Sequence, residues 1–542
     1  MLGLSIQCGA STEIGLDVNY IELFAGCGGL SLGLKSVGFN MTMANELSPM
    51  AAESYAYNFL SEDLTSLASA THPPQKTVWL ASSFPREQLH FRLRENPFDS
   101  PKIQVAYSDL DKTGNNLDGA LVVGSIVGLN QWLKKHPQAL EKIRGSFGRG
   151  SVDLVSGGPP CQSFSMAGLR QKDNEKNSLP WEFAKFAESI QPKFVLLENV
   201  TGILRPFKGV DGSRYYAWFE LAKAFVHIGY VPLCLHVNAK FAGVPQNRPR
   251  FILLGVRLDV LNSLLPTFNE IEKILFTQPL NFFHGVKAGK ELTLEALSFR
   301  DLSRVSDVPL FTQSFLRPLL QTQKFVSVKQ AIDDLKTGKK KSGDFAKSLE
   351  VIFSSVIPSH ALQNHDLRFN NDRVRRRFRL YQVLEKQSNE VRRSVLAVLK
   401  GSSDELTSET WALIKNEKFL LKSGEFGFFQ KKSQFLKFLQ EHGTKKQTQK
   451  ALTEKAPAPA ALSIPDDACH YDINHLRTLT VREMARIQSF PDDFVFRSKV
   501  TTGGQMRRYE VPQYTQVGNA VPPLLGRALG LAVADLLARL NA

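Results

Sequence analysis

Residues 157–165 read Gly-Gly-Pro-Pro-Cys-Gln-Ser-Phe-Ser, so Cys161 follows two prolines just beyond an apolar run at 152–155. Each proline fixes φ and restricts the residue before it, which puts the thiol on a stiff loop at the carboxyl end of a strand. A thiol there can attack something held in an α/β crevice, although an isolated cysteine is also read simply as a buried structural residue. Residues 24–30, Phe-Ala-Gly-Cys-Gly-Gly-Leu, make a glycine-rich strand-to-helix turn. Its glycines suit close approach of a ligand and suit a purely structural turn equally well. Glu46, about 20 residues further on, ends the next strand pattern, where a carboxylate can hold ribose hydroxyls. Together they suggest a ligand with an adenosine moiety. No Gly-x-x-x-x-Gly-Lys-Ser/Thr run is present, which argues against a P-loop and ATP hydrolysis.

Two more stretches belong with these. Glu198-Asn199-Val200 follows the apolar run 194–197, a place for a catalytic carboxylate or for a plain helix cap. Gln246-Asn-Arg-Pro-Arg250 leads into the apolar run 251–256. Arg248 and Arg250, two apart in extended chain, share a face and could clamp a phosphate or carbonyl oxygen, or form surface ion pairs.

The elements that must position these residues follow from the pattern. Strand-like runs at 19–24, 41–44, 103–107, 152–155, 194–197, 231–237 and 251–256 alternate with helical stretches, including 30–37. That alternation predicts an α/β, doubly wound, mostly parallel sheet with helices on both faces. Residues 60–101 have weak periodicity and several prolines and read as a surface insertion. From 258 to 465 the chain turns Lys-, Arg- and Phe-rich and largely helical, with its most basic cluster at Arg373, Arg375, Arg376, Arg377 and Arg379. Residues 445–459 read as a linker or irregular connection, and 522–540 as a closing amphipathic helix. The predicted organisation is a catalytic and cofactor-binding part at 1–257, an inserted part at 258–465, and a return at 466–542.

Size and charge set the frame. At 542 residues the chain needs more than one core. Lys and Arg number 67 against 52 Asp and Glu, a formal charge of +15, which favours a polyanionic partner such as nucleic acid or an anionic membrane surface. The five cysteines (Cys8, Cys27, Cys161, Cys234, Cys469) form no Cys-x-x-Cys pair. The pattern suggests neither a disulfide framework nor a metal site and fits a reducing, cytoplasmic setting. No run approaches the roughly 20 apolar residues of a membrane span.

Taken in order, residues 24–30, 158–165, 198–200, 246–250, 482–494 (Arg-Glu-Met-Ala-Arg-Ile-Gln-Ser-Phe-Pro-Asp-Asp-Phe) and 516–523 (Gln-Val-Gly-Asn-Ala-Val-Pro-Pro) resemble the ordered motifs of the DNA (cytosine-5) methyltransferases. The resemblance covers roughly 19–256 and 470–542. It implies the S-adenosylmethionine-dependent methyltransferase fold, with a target-recognition domain inserted at 258–465. It also implies methyl transfer to C5 of a cytosine flipped out of a specific sequence in double-stranded DNA.

The resemblance assigns roles residue by residue. Cys161 adds to C6, Glu198 engages N3 and the exocyclic amine, and Arg250 with Arg248 binds the carbonyl oxygen and adjacent phosphate. For S-adenosylmethionine, Phe24 stacks on the adenine, Gly26, Gly28 and Gly29 shape the turn, and Glu46 takes the ribose. Asp109 is assigned to the adenine amine, with Asp63 and Asp111 as rivals, because its distance from Phe24 is longer than the family's compact arrangement. Pro160, Asn519 and Val521 complete the cofactor side. Gln162, Ser165 and Arg373, Arg375, Arg376 and Arg377 are assigned to DNA, the arginine cluster being equally readable as a solvated helix face. Arg482 and Glu483 organise the junction between the parts, and 490–494 is architectural. Lys176-Asn177 stands where Arg-Asn is frequent.

The implied setting is the modification enzyme of a restriction–modification system, nucleoid-associated and a monomer on DNA, with a cognate endonuclease acting at the same site. Two alternatives are weaker: a tRNA cytosine-5 methyltransferase, disfavoured by the large basic interval, and a non-catalytic DNA-binding regulator, disfavoured by intact Cys161, Glu198 and Arg250.

Overall fold

The computed structural model describes residues 17–99, 101–160, 179–208, 214–321, 324–336, 342–444, 449–460 and 463–541. Its centre is a nine-stranded sheet. In chain order the strands are β1 (Val18–Leu23), β2 (Phe39–Glu46), β3 (Thr77–Trp79), β4 (Ala120–Val123) and β5 (Leu154–Gly157). They continue as β6 (Phe194–Val200), β7 (Tyr230–Asn238), β8 (Pro249–Arg257) and β9 (Arg300–Asp301). Across the sheet the order is β9-β7-β8-β6-β5-β1-β2-β4-β3. Every neighbouring pair is parallel except those made by β8, which runs antiparallel to both β6 and β7. All six residues of β1 are buried, as a strand covered on both faces requires. The order reverses at β1: the chain moves outward to β2 and returns to β5 on the other side. That leaves a crevice beyond the carboxyl ends of β1 and β5, where open α/β sheets bind ligands.

Helices cover both faces. α1 (Gly29–Lys35), α2 (Pro49–Phe59) and α3 (Ile126–Lys135) follow the first strands, and α4 (Leu179–Ile190) links β5 to β6. Ser48 caps α2 by accepting from the Ala51 N–H, with Pro49 at the first helical position. α5 (Glu270–Lys287) starts with a capping box between Asn269 and Glu272. Farther on lie α6 (Asp372–Leu384), α7 (Val481–Ile487), α8 (Gln513–Asn519) and the closing α9 (Pro523–Asn541).

The structure departs from the sequence reading in four places. No strand forms at 103–107; Tyr107 makes only an isolated bridge to Ser82. The strands in that region are instead β3 and β4, too short for a periodicity to register. The stretch 60–101 is therefore not merely an external insertion, because Thr77, Val78 and Trp79 within it are buried as the sheet's edge strand. The main core also does not stop at Arg257: Leu261, Leu275, Phe282, Phe311 and Leu319 join it, and β9 extends the sheet beside β7. Finally, the described part of 445–459 is woven in, Lys450–Ala451 pairing with Ala468–Cys469 and Ala458–Pro459 with Gln246–Asn247.

Besides a small cluster that includes Tyr55, Trp79 and Leu121, two larger cores form among the described residues. One gathers Val328 to Ile357, Leu452 and residues from Ala468 to Ala520, and reaches Cys27 and Leu32 beside the glycine turn. The other, from Phe378 to Leu476, is a small helical core of its own. The predicted closing helix is α9, which packs on α1 within the main core. Among the described residues no single helix is long and apolar enough to cross a membrane, and no cluster could hold a metal ion.

Candidate active site

The turn after β1 is built by conformation rather than by side chains. Phe24 has φ 55°, Gly26 56° and Gly28 96°, so three residues sit in the left-handed region within five positions. For Phe24 that geometry costs about 1 kcal/mol. It is held by the Ala25 N–H donating to Asn45 O at 3.0 Å. A Cβ at Gly26 would meet nothing within 4 Å, so space is open above the turn. Glu46 closes it from below: one carboxylate oxygen accepts from the Gly26 N–H and the other from the Ser48 N–H, both at 2.8 Å. Each oxygen keeps a lone pair for a further donor such as a ribose hydroxyl. Burial raises the Glu46 carboxyl above its ordinary value.

Beneath the turn lies a group that sequence reasoning missed. Glu22, on β1, is 2% exposed and is bonded by the Ser31 hydroxyl. Ser31 Oγ is also 2.9 Å from the Tyr20 and Tyr55 hydroxyls. Burial pushes the Glu22 carboxyl up to about 8; the Ser31 bond opposes this and Glu46 adds to it. The acidic residue preceding the glycine turn was the available signal.

The C-terminal return completes the cradle. A Cβ at Gly29 would sit 2.3 Å from Val521 O, so this position admits only glycine while 520–521 pack against it. Val521 is buried there, and Asn519 beside it is exposed. Arg248 holds this return in place. Its guanidinium donates to Gly518 O at 2.8 Å and Ala520 O at 3.0 Å, and the residue is 3% exposed. Burial, reinforced by Arg250, lowers its pKa. Arg248 is thus engaged by the backbone carbonyls of the C-terminal return, while Arg250 points elsewhere.

Arg250 instead faces Glu198. Its Nε lies 2.5 Å from Glu198 Oε1, and both residues are 8% exposed. They meet because β8 runs antiparallel to β6, opposing Arg250 to Val200 and Ile252 to Glu198. Glu198 Oε2 stands 3.1 Å from where a Gly158 Cβ would be, so that glycine keeps the carboxylate uncovered. Asn199 Nδ2 donates to Pro159 O at 3.2 Å, tying the proline loop to β6. Pro160 is exposed. Cys161, Gln162 and Ser165 lie outside the described residues.

The three candidate aspartates are all occupied elsewhere. Asp109 lies half-buried at the far edge of the sheet, 2.7 Å from Arg92 and accepting from the Trp79 N–H at 3.0 Å. Asp63 caps residues 64–69 and pairs with Arg497 at 2.9 Å. Asp111 accepts from Thr113. Nearer to Glu46, the Gly124 N–H at the end of β4 donates to Glu46 O at 2.9 Å, and Ser125 after it is exposed.

The arginine cluster is divided. On α6, Arg373 and Arg375 are exposed, Arg375 pairing with Asp372 at 3.0 Å. Arg376 donates to His442 Nε2 at 2.9 Å, and Arg377 reaches Gly443 O at 3.5 Å. Arg379 is buried, donating to Lys418 O. Helical geometry turns half of the run inward, so it is not one phosphate-facing surface. Arg482, wholly buried, donates to the carbonyls of Gln363, Pro491 and Phe494, and Glu483 caps α7 while pairing with Arg477. Cys27, Cys234 and Cys469 are buried and free, with burial raising each thiol.

A mostly parallel doubly wound sheet with one reversed strand, and a glycine turn at its switch point, defines a protein of the S-adenosylmethionine-dependent methyltransferase fold. Residues 18–85 and 131–534 match the C-5 cytosine-specific DNA methylases, and the chain belongs to that family. It is 25% identical to the Type II methyltransferase M.DdeI of Desulfomicrobium norvegicum, over 94% of this chain and 87% of that one. It is also 25% identical to M1.HphI of Haemophilus parahaemolyticus, over 96% of this chain and 87% of the relative. A third relative, M.Bpa9945I of Bacillus paralicheniformis, is 25% identical over 95% and 98% of the two chains.

Proposed function

We propose that this DNA cytosine-5 methyltransferase acts through a covalent Cys161–C6 adduct on a cytosine flipped out of a specific duplex sequence. The observation that carries the reading is the buried Glu198–Arg250 pair beside the Pro159–Pro160 entry to Cys161. Cytosine C5 is a poor nucleophile, so the ring must first accept electrons. The Cys161 thiolate forms the S–C6 bond while Glu198 holds a proton at N3 and Arg250 polarises the carbonyl oxygen. C5 then takes the methyl group, a base removes the C5 proton, the C5–H electron pair restores the C5=C6 double bond, and the S–C6 pair leaves with sulfur as the Cys161 thiolate.

S-Adenosylmethionine, when bound, supplies the methyl group on a sulfonium, which makes that carbon electrophilic. The chain's part is to hold it: Gly26 leaves the turn open, Gly28 lets the turn lie against the Phe59 ring, Glu46 accepts from the ribose, and Phe24 covers the adenine. Ser125 replaces Asp109 at the adenine edge in this reading, and Asn519 and Val521 close the cofactor end. Arg248 acts as a positioning residue for that return.

By analogy with the Type II relatives, the enzyme serves as the modification partner of a restriction endonuclease, acting as a monomer in the cytoplasm. Arg373 and Arg375 supply phosphate contacts, with Gln162 and Ser165 near the target base. The test is methyl transfer to duplex DNA with covalent trapping on 5-fluorocytosine. Cys161→Ser is expected to abolish both while keeping cofactor affinity. Transfer to tRNA in preference to DNA, or an adduct that survives Cys161→Ser, overturns the reading.

A further inference from the structure

Phe369 is 99% exposed, more than any other large apolar residue described. Its neighbours are far from loose. Arg482 N donates to Asn364 O at 2.8 Å, and the Asn364 amide bonds Phe496 on both sides, Nδ2 to O and Oδ1 from N, each at 2.9 Å. His365 bonds Thr480 Oγ1 and Leu335 O, also at 2.9 Å each. After Phe369, Asn370 accepts from the Thr478 N–H at 3.3 Å, and Asn371 caps α6. An extended segment is therefore pinned on both sides while one aromatic ring is left wholly in water. Folding gains nothing from that ring, since its apolar area stays hydrated.

Its setting indicates the partner. Residues 366–377 carry five arginines against two aspartates, and Arg368, Arg373 and Arg375 in the same stretch are exposed. An exposed ring in an arginine-rich stretch suits stacked bases bordered by phosphates. Arg368 also hydrogen-bonds Tyr514 on α8. One turn farther along α8, Gly518 receives Arg248, two residues from the Arg250 that faces Glu198. The pinned segment and the candidate site are thus joined through one short helix.

We propose that Phe369 is a DNA-positioning wedge, its ring set against the base stack of the duplex carrying the target cytosine, with Arg368 and Arg373 on flanking phosphates. The inference rests on the reading of the protein as a duplex-DNA enzyme. It goes beyond that reading by naming the residue that engages the bases outside the catalytic pocket.

The experiment compares wild type, Phe369→Ala, Phe369→Trp and Arg373→Ala as full-length proteins. The probes are sheared, unmethylated genomic DNA for anisotropy binding and for sequencing of methylated cytosines. Loss of one base–aromatic stack predicts that Phe369→Ala weakens DNA binding and lowers kcat/KM for DNA roughly 5- to 150-fold. The methylated sequences should become less selective, S-adenosylmethionine affinity should stay within about twofold, and Tm should not change. Phe369→Trp should restore binding, whereas Arg373→Ala should weaken all sequences alike and flatten the salt dependence. DNA binding and sequence preference unchanged in Phe369→Ala would overturn the proposal, as would an equal loss of cofactor affinity or Tm. Failure of the wild type to methylate DNA would instead overturn the proposed chemistry, while the binding comparison would still decide the role of Phe369.

Discussion

The buried carboxyl of Glu22 gives a prediction whose size and sign follow from its surroundings. Burial holds this group near about 8 in the folded protein, against an ordinary 4.5 in an unfolded chain. Between those values the folded state keeps a proton that the unfolded state has lost, so stability falls as pH rises through the window. Each pH unit there costs about 1.4 kcal/mol, so this one group withdraws about 5 kcal/mol by pH 8. Glu22→Gln removes the titration and keeps a donor and an acceptor for Ser31. The variant should match or fall slightly below wild type near pH 5 and exceed it by several kcal/mol at pH 9. Urea midpoints for the transition that opens the sheet core, taken from pH 4.5 to 9, give the difference directly, because other titrating groups cancel between the two proteins. A difference that stays constant across that range would refute the buried, protonated carboxyl.

Gly29→Ala should lower Tm and weaken S-adenosylmethionine binding together, because its Cβ would lie 2.3 Å from Val521 O and push the return loop off the turn; overpacking of this kind costs about 1–3 kcal/mol. Arg250→Ala should destabilise the protein by about 3–5 kcal/mol at neutral pH, since it leaves Glu198 as a buried carboxylate without its partner, and denaturant titration measures it. The double variant Arg250→Ala/Glu198→Gln should recover much of that loss without recovering methyl transfer. Asp109→Asn should lower Tm through loss of the Arg92 pair while leaving cofactor affinity unchanged by calorimetry, whereas Ser125→Ala should do the reverse.

The amino-acid sequence alone carried the chemistry and much of the sheet. β1, β2 and β5 to β8 are apolar runs bounded by glycine, proline or charge, and their register is a local matter of alternation and burial. The six motif stretches were legible because each needs particular residue types: glycines for left-handed φ, prolines for a stiff loop, a carboxylate and an arginine at strand ends. β3 and β4 were not legible, since three or four apolar residues carry no periodicity and become strands only when an existing edge offers hydrogen-bond partners.

Only the tertiary structure separated residues of one type by what they touch. Arg248 and Arg250 are two apart in sequence, yet one holds backbone carbonyls of the C-terminal return and the other pairs with Glu198. Asp109 was chosen by its place after an apolar run, and folding carried it to the sheet's far edge beside Arg92. The arginines of α6 look equivalent in sequence, but helical rotation commits some to His442 and Lys418 and leaves others in solvent. Phe369 reads in sequence as one more aromatic in a phenylalanine-rich region, and its exposure arises from partners as distant as Thr478 and Phe496. Residue type and spacing determine which chemistry is available; long-range contacts, formed only when the chain closes, determine which copy of a residue is free to perform it.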